Sequence, residues 1–211
     1  MGREALGWPS GATASAASGP SWPAAIAGIT ESVITTRGPN GRWNAAALGL
    51  HRDGATVTAQ TYGRTRTWRN LRADGRGVVN LVTDPMQFVQ AALSVYEPRG
   101  AVLRDAAAVV EVTATATDEW TERTTQMTRW ELQPVWVSIR SWRLPTYRRG
   151  QIAVIDATVA ASRLDVPDVD VAELRAELER CATIVERTGS SSDRAAFAEI
   201  DALTGWRDRL R

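Results

Sequence analysis

The sequence has no lysine; all 25 basic residues among its 211 are arginine. Whatever chemistry the chain supports, it uses neither a Schiff-base lysine nor a lysine general base. There is one cysteine, Cys181, and one histidine, His51. A disulfide framework and a zinc centre made of Cys and His ligands are therefore excluded. A Ser-His-Asp triad would have to use His51, which falls in a predicted hairpin turn, a poor setting for that role. No apolar run is long enough to span a membrane. The N-terminus lacks the charged start and apolar centre of a signal peptide, so a cytoplasmic protein is expected. The net charge of +1 offers no global field to draw nucleic acid or anionic lipid. A composition of 44% apolar and 23% charged residues is that of a soluble globular chain, and 211 residues suffice for one medium domain with a small appendage.

Residues 1–25 are rich in Gly, Ala, Ser and Pro, with Trp8 and Trp22 as their only aromatic side chains. Such a segment buries too little apolar area to offset the cost of ordering, and a mobile tail is expected. Ile29 to Thr36 is β-branched on both faces and reads as a strand. The turn residues Gly38-Pro39-Asn40-Gly41 lead to a second strand, Trp43 to Leu50, and Arg52-Asp53-Gly54 to a third, Ala55 to Thr61. Arg66 to Ala73 reads as a short helix and Gly77 to Thr83 as a further strand. Asp84 caps a helix that begins at Pro85 and ends before Glu97-Pro98-Arg99-Gly100. Ala107 to Thr117 and Trp130 to Trp142 are strands, with Pro134 demanding an edge or a bulge. Six strands joined by short turns point to a small antiparallel barrel.

The pattern turns helical after Pro145. Gln151 to Ser162 could be strand by its β-branched residues, but its alanines and length favour a buried helix. Val171, Leu174, Leu178, Cys181 and Val185 form one amphipathic stripe with Asp170 as cap and Gly189 as stop. A last helix begins near Ser192. The expected organisation is a tail over 1–25, a barrel domain over 26–145 and a helical domain over 146–211.

Two stretches carry the chemistry. Asn44-Ala45-Ala46 lies on a strand whose small side chains admit a flat group close to the backbone. Arg64-Thr65-Arg66-Thr67-Trp68-Arg69-Asn70 opens a helix with hydroxyls, guanidinium groups and N–H donors suited to a phosphate. Asn80 stands among apolar residues and needs a partner, main chain or cofactor. A flat slot beside an anion site is what flavin mononucleotide (FMN) requires, and its ring carries the redox chemistry itself. Taken singly, the pieces also have ordinary readings as helix cap, tight strand packing and solvated arginine.

Four stretches in order, Ile-Thr-Glu-Ser-Val-Ile-Thr-Thr (29–36), Asn-Ala-Ala-Ala-Leu-Gly-Leu (44–50), Thr-Trp-Arg-Asn-Leu (67–71) and Val-Val-Asn-Leu-Val-Thr-Asp-Pro (78–85), together with 153–164, resemble an uncharacterised family of FMN-binding split-barrel proteins related to the flavin reductases, domain of unknown function 447. The similarity runs over roughly residues 28 to 205. It implies an antiparallel split barrel followed by a small helical unit, FMN as cofactor, and a homodimer with each flavin near the interface. It also implies Asn44, Ala45 and Ala46 at the flavin and Thr65, Thr67 and Asn70 at the phosphate. Two positions depart from the family pattern: Arg64 replaces an expected small residue, and Ala160 an expected histidine, which weakens any proton-donor role for that helix.

The function expected on these grounds is an oxidoreductase moving hydride between a reduced carrier such as NAD(P)H and flavin, with a non-catalytic flavin-binding or sensory module as the alternative. Neither nucleic acid nor membrane is an expected partner. A nucleic-acid-binding barrel with Trp68, Trp120, Trp130, Trp136 and Trp142 as stacking platforms is disfavoured by the charge balance and the scatter of those residues. A haem-degrading barrel is disfavoured because His51 is the sole imidazole.

Overall fold

Alternation of apolar side chains and tight glycine turns organise the first half of the chain. The computed structural model describes residues 20–141, 148–167 and 169–210. They fall into two compact units: a barrel unit from 20–83 and 96–141, and a helical unit from 84–95, 148–167 and 169–210. The predicted tail as far as residue 19, with Trp8, lies outside the described residues, as do the expected strand end at Trp142 and the change of pattern at Pro145.

The barrel unit contains β1 (Gly28–Arg37), β2 (Trp43–Asp53), β3 (Thr56–Tyr62), α1 (Arg66–Asp74), β4 (Arg76–Val82), β5 (Ala106–Glu122) and β6 (Thr125–Ile139). The strands close in the order β1-β2-β3-β6-β5-β4, every pairing antiparallel. Gly41 and Gly54 take positive φ in the two tight turns, a conformation glycine adopts without steric cost. Register fixes the faces: Ile34, Leu48, Leu50, Val57, Val79, Val110 and Trp130 point into the barrel. The Trp130 indole donates to Thr61 Oγ1 at 2.9 Å, which meets its polar need inside that core.

Several expectations change here. Trp22 and Ile26 are buried in the barrel core, and Arg52 donates to the carbonyl oxygens of Pro23 and Ile26 at 3.0 and 3.1 Å. The end of the predicted tail is thus docked, because two large apolar side chains and one guanidinium offset its ordering. His51 lies in β2 opposite Ile29 rather than in a turn. The β5–β6 hairpin runs far beyond the predicted strands, to a tip at Arg123, whose φ is 55°. Its threonines and charges hide the alternation, and half of it is solvated. Pro134 meets both of its conditions: it lies past the last β3 partner, Glu131, and beside a bulge opposite Glu111 and Val112.

The barrel is split. β2 pairs with β3 only over Leu50–Asp53, and β6 pairs with β3 only up to Glu131. The first half of β2 and the second half of β6 therefore share no ladder. On that open edge the Ala45 N–H bonds instead to the Tyr96 carbonyl at 2.9 Å.

The helical unit comprises α2 (Pro85–Leu93), α3 (Arg149–Ala161), α4 (Val171–Thr188), α5 (Ser191–Thr204) and α6 (Trp206–Arg209). Asp84 caps α2 through the Met86 N–H, with Pro85 at its first position as expected. The insertion of α2 into the barrel sequence is not visible in local patterning, since its apolar side, including Val89, meets partners more than 60 residues away. Leu174, Leu178, Cys181 and Val185 are buried, as the stripe requires, and burial pushes the Cys181 thiol up. Gly150 and Gly189 meet so closely that a Cβ on Gly150 would stand 2.4 Å from the Gly189 Cα.

Candidate functional site

Helix α1 starts at Thr65, whose hydroxyl accepts from the Trp68 N–H at 3.2 Å, and the Arg69 N–H bonds to the Thr65 carbonyl. The N–H groups of Arg66 and Thr67 find no acceptor among the described residues. These are the orphan donors of a helix start, at the positive end of its dipole. They open beside a cleft of about 580 Å³ whose walls come from the β1–β2 turn (Gly38, Asn40, Arg42), the start of β2 (Asn44) and α1 (Arg66, Arg69, Asn70), with Glu97 at one side.

Under the cleft lies a set of polar side chains at the barrel mouth. Thr36 and Asn44 face each other across the β1–β2 ladder. Asn70 donates to the Thr36 hydroxyl at 3.0 Å, and Asn44 donates to the Thr67 hydroxyl at 3.1 Å. The carbonyl oxygens of both amides are left without a donor among the described residues. Above them stand three guanidinium groups. Glu97 pairs with Arg66 at 2.6 Å and with Arg42 at 3.4 Å, whereas Arg69 has no acidic partner among the described residues. The cleft thus offers cations and N–H donors at one end and amide oxygens below, a donor set that fits a phosphate joined to a polyhydroxyl chain.

The sequence-predicted residues divide accordingly. Asn44 and Asn70 line the cleft; Thr67 is tied to Asn44, and Thr65 shapes the helix start. Ala45 and Ala46 do not line it, and strand alternation sends their side chains to opposite faces, with Ala46 on the face of Leu48. They lie on the split edge, where β2 has no β3 partner. Arg64 does not line the cleft: its Nε donates to Gln126 Oε1 at 2.9 Å and its guanidinium lies over the Trp68 ring.

Asn80 lies away from the cleft. It is fully buried, its amide nitrogen donates to the carbonyl oxygens of Val78 and Ala101 at 3.1 and 3.2 Å, and its oxygen accepts from the Leu103 N–H at 2.9 Å. Of the two partners open to it, the main chain engages both its donor and its acceptor group. Sequence reasoning missed Arg42, Glu97 and Thr36. Arg42 falls between the predicted turn and strand and Glu97 in a helix break, and only tertiary folding brings residues 42, 66 and 97 together. Glu31 stands outside the cleft on the outer face; burial raises its carboxyl above the usual range, against the opposing pull of His51.

Residues 30–141 match the family described as "Protein of unknown function (DUF447) N-terminal domain", and 148–201 match the same family's second region. The chain belongs to the DUF447 family. Among solved structures, the FMN-bound DUF447 protein MM1853 from Methanosarcina mazei aligns with a TM-score of 0.72 at 21% identity, covering 84% of this chain and 96% of that one. That likeness establishes the fold, an antiparallel split barrel followed by a helical unit. The styrene monooxygenase flavin reductase of Pseudomonas putida S12 aligns more loosely, with a TM-score of 0.41 at 12% identity over 53% of this chain and 79% of that one. No curated protein matches the sequence. Among the described residues of this DUF447 member, no helix is long and apolar enough to cross a membrane.

Proposed function

We propose that this DUF447 protein binds FMN in the α1 cleft and serves as an oxidoreductase in which hydride passes between a reduced carrier such as NAD(P)H and the flavin. The observation that carries the reading is that the start of α1, whose Arg66 and Thr67 N–H groups find no acceptor among the described residues, lies at one cleft with Arg69, which has no acidic partner among them, and with the undonated amide oxygens of Asn44 and Asn70. The Arg66 and Thr67 N–H groups with Arg69 would hold the phosphate, and Asn44 and Asn70 the ribityl hydroxyls. The ring would run along the split edge, where Ala45, Ala46 and Ala47 keep the β2 backbone within reach. Support comes also from the Methanosarcina relative, which is FMN-bound.

FMN supplies the hydride-accepting ring when bound. The work left to this chain is to hold the phosphate and align the ring, and a cleft whose ionisable groups are arginines and one paired carboxylate suits that division. The same paucity of proton donors favours, as a second reading, a flavin carrier or sensor without turnover. The family resemblance adds a homodimer to the proposal.

Purified protein should be yellow, release a species with the mass of FMN, and bleach in stopped flow when mixed with NADH or NADPH. Protein that is colourless and takes up no FMN on titration ends the proposal. Protein that binds FMN but is reduced by neither nicotinamide supports the non-catalytic reading.

A further inference from the structure

The feature that FMN binding alone leaves unexplained is Glu97. A carboxylate in the wall of a cleft meant for an anion should repel it, yet Glu97 holds two of the cleft's three arginines, Arg66 through Oε1 and Arg42 through Oε2. Its position is fixed by its neighbour: the Tyr96 carbonyl accepts from the Ala45 N–H and stitches this segment to β2 one residue beyond Asn44. The two arginines come from elements far apart in sequence, the β1–β2 turn and the first turn of α1. Glu97 gathers them to one place.

We propose that Glu97 is an internal stand-in for the ligand's phosphate, a competitor for Arg42 and Arg66 that sets how tightly the phosphorylated flavin, and not the unphosphorylated one, is held. The inference rests on the reading of the cleft as an FMN site. With the cleft empty, the carboxylate keeps Arg42 and Arg66 gathered and part-neutralised. A phosphate, with more charge and three acceptor oxygens, competes successfully for Arg66 while Arg69 and the α1 N–H groups add contacts that Glu97 does not use. A neutral polyol tail has nothing with which to displace the carboxylate. The arginine–carboxylate pair therefore stays closed, and riboflavin gains nothing from this end of the cleft.

The test compares dissociation constants of FMN and riboflavin, read by flavin fluorescence quenching, for the wild type and Glu97→Gln at fixed ionic strength. Circular dichroism melting checks that the variant is folded; the pair is half-exposed, so its loss should cost the fold little. The expected result is FMN bound about three- to tenfold more tightly by the variant, with riboflavin unchanged, since one screened charge pair is all that is removed. FMN affinity unchanged or weakened in Glu97→Gln overturns the proposal and makes Glu97 a support for the arginines. Equal tightening of both flavins also overturns it, because the effect would then not be on the phosphate. If neither protein takes up FMN at all, the FMN reading itself has failed, and this inference with it.

Discussion

Asn80 and Asn70 are both buried amides of the same barrel, yet they stand in opposite situations. Asn80, on β4, has every hydrogen-bonding group met by its own chain and pins the 101–103 loop to the outer face together with Thr35, whose hydroxyl donates to the Ala101 carbonyl at 2.5 Å. Asn70, on α1, donates to Thr36 and turns its oxygen to an open cleft where the described chain supplies no donor. Burial alone does not mark a ligand site. A buried polar group completed by its own chain belongs to the fold, and one left half-complete at a cleft belongs to a ligand.

The comparison breaks most visibly at Asn80. Asn80→Ala should destabilise the protein by about 2–3 kcal/mol in urea unfolding, since the Leu103 N–H loses its acceptor at a buried position. The flavin affinity of the folded fraction should stay close to that of the wild type. A large loss of affinity at full stability would place Asn80 back in the site.

The opposite outcome is expected at Arg69. Arg69→Ala should leave the unfolding midpoint within about 0.5 kcal/mol of the wild type, because an exposed guanidinium without an acidic partner contributes little to the fold. FMN affinity should fall by about tenfold or more, the value of one charge-assisted contact to phosphate. Riboflavin binding, measured alongside, should not change.

The helical unit sharpens the contrast with a third polar centre. Asp193 is 1% exposed and closes a capping box with Ser190, while Arg148 reaches the same carboxylate oxygen at 2.6 Å. Burial acts to raise its pKa, but the Ser190 N–H and hydroxyl and the Arg148 guanidinium outweigh it and hold the carboxyl below its usual value. A lowered folded-state pKa contributes stability that is present above the unfolded value, about 3.9, and is lost as pH falls through the folded one. Asp193→Asn should therefore cost about 1–2 kcal/mol at pH 7. That difference should shrink as the pH is lowered below about 4. A difference independent of pH would show that the carboxylate charge is not what holds the cap.

Much of the fold was legible because its signals are local. The turns at Gly38–Gly41 and Asp53–Gly54, the Asp84-Pro85 helix start and the Leu174–Val185 stripe each state their geometry within a few residues. The extended β5–β6 hairpin and the docking of Trp22 were not legible. A solvated hairpin need not alternate in polarity, and the value of burying one tryptophan depends on a surface made by distant strands. In the site, Thr67 and Asn70 stand out because hydroxyls and amides at a helix start suggest an anion, and Asn44 because it begins a run of small residues on a strand. Arg64 has the same signal and Asn80 that of a buried amide in need of a partner, and both have partners inside the protein. Glu97 and Arg42 carried no signal until folding set them beside Arg66.

The sequence by itself determined which chemistry the chain could hold: no lysine, one imidazole, one thiol, a barrel's worth of alternating strands and a helix that begins among hydroxyls. These follow from side-chain type and short-range periodicity, which need no knowledge of the rest of the molecule. Only the tertiary structure decided which polar groups remain unspent, because a hydrogen bond is a matter of who arrives within 3 Å, and the arrivals at Asn70, Asn80 and Arg66 come from residues tens of positions away.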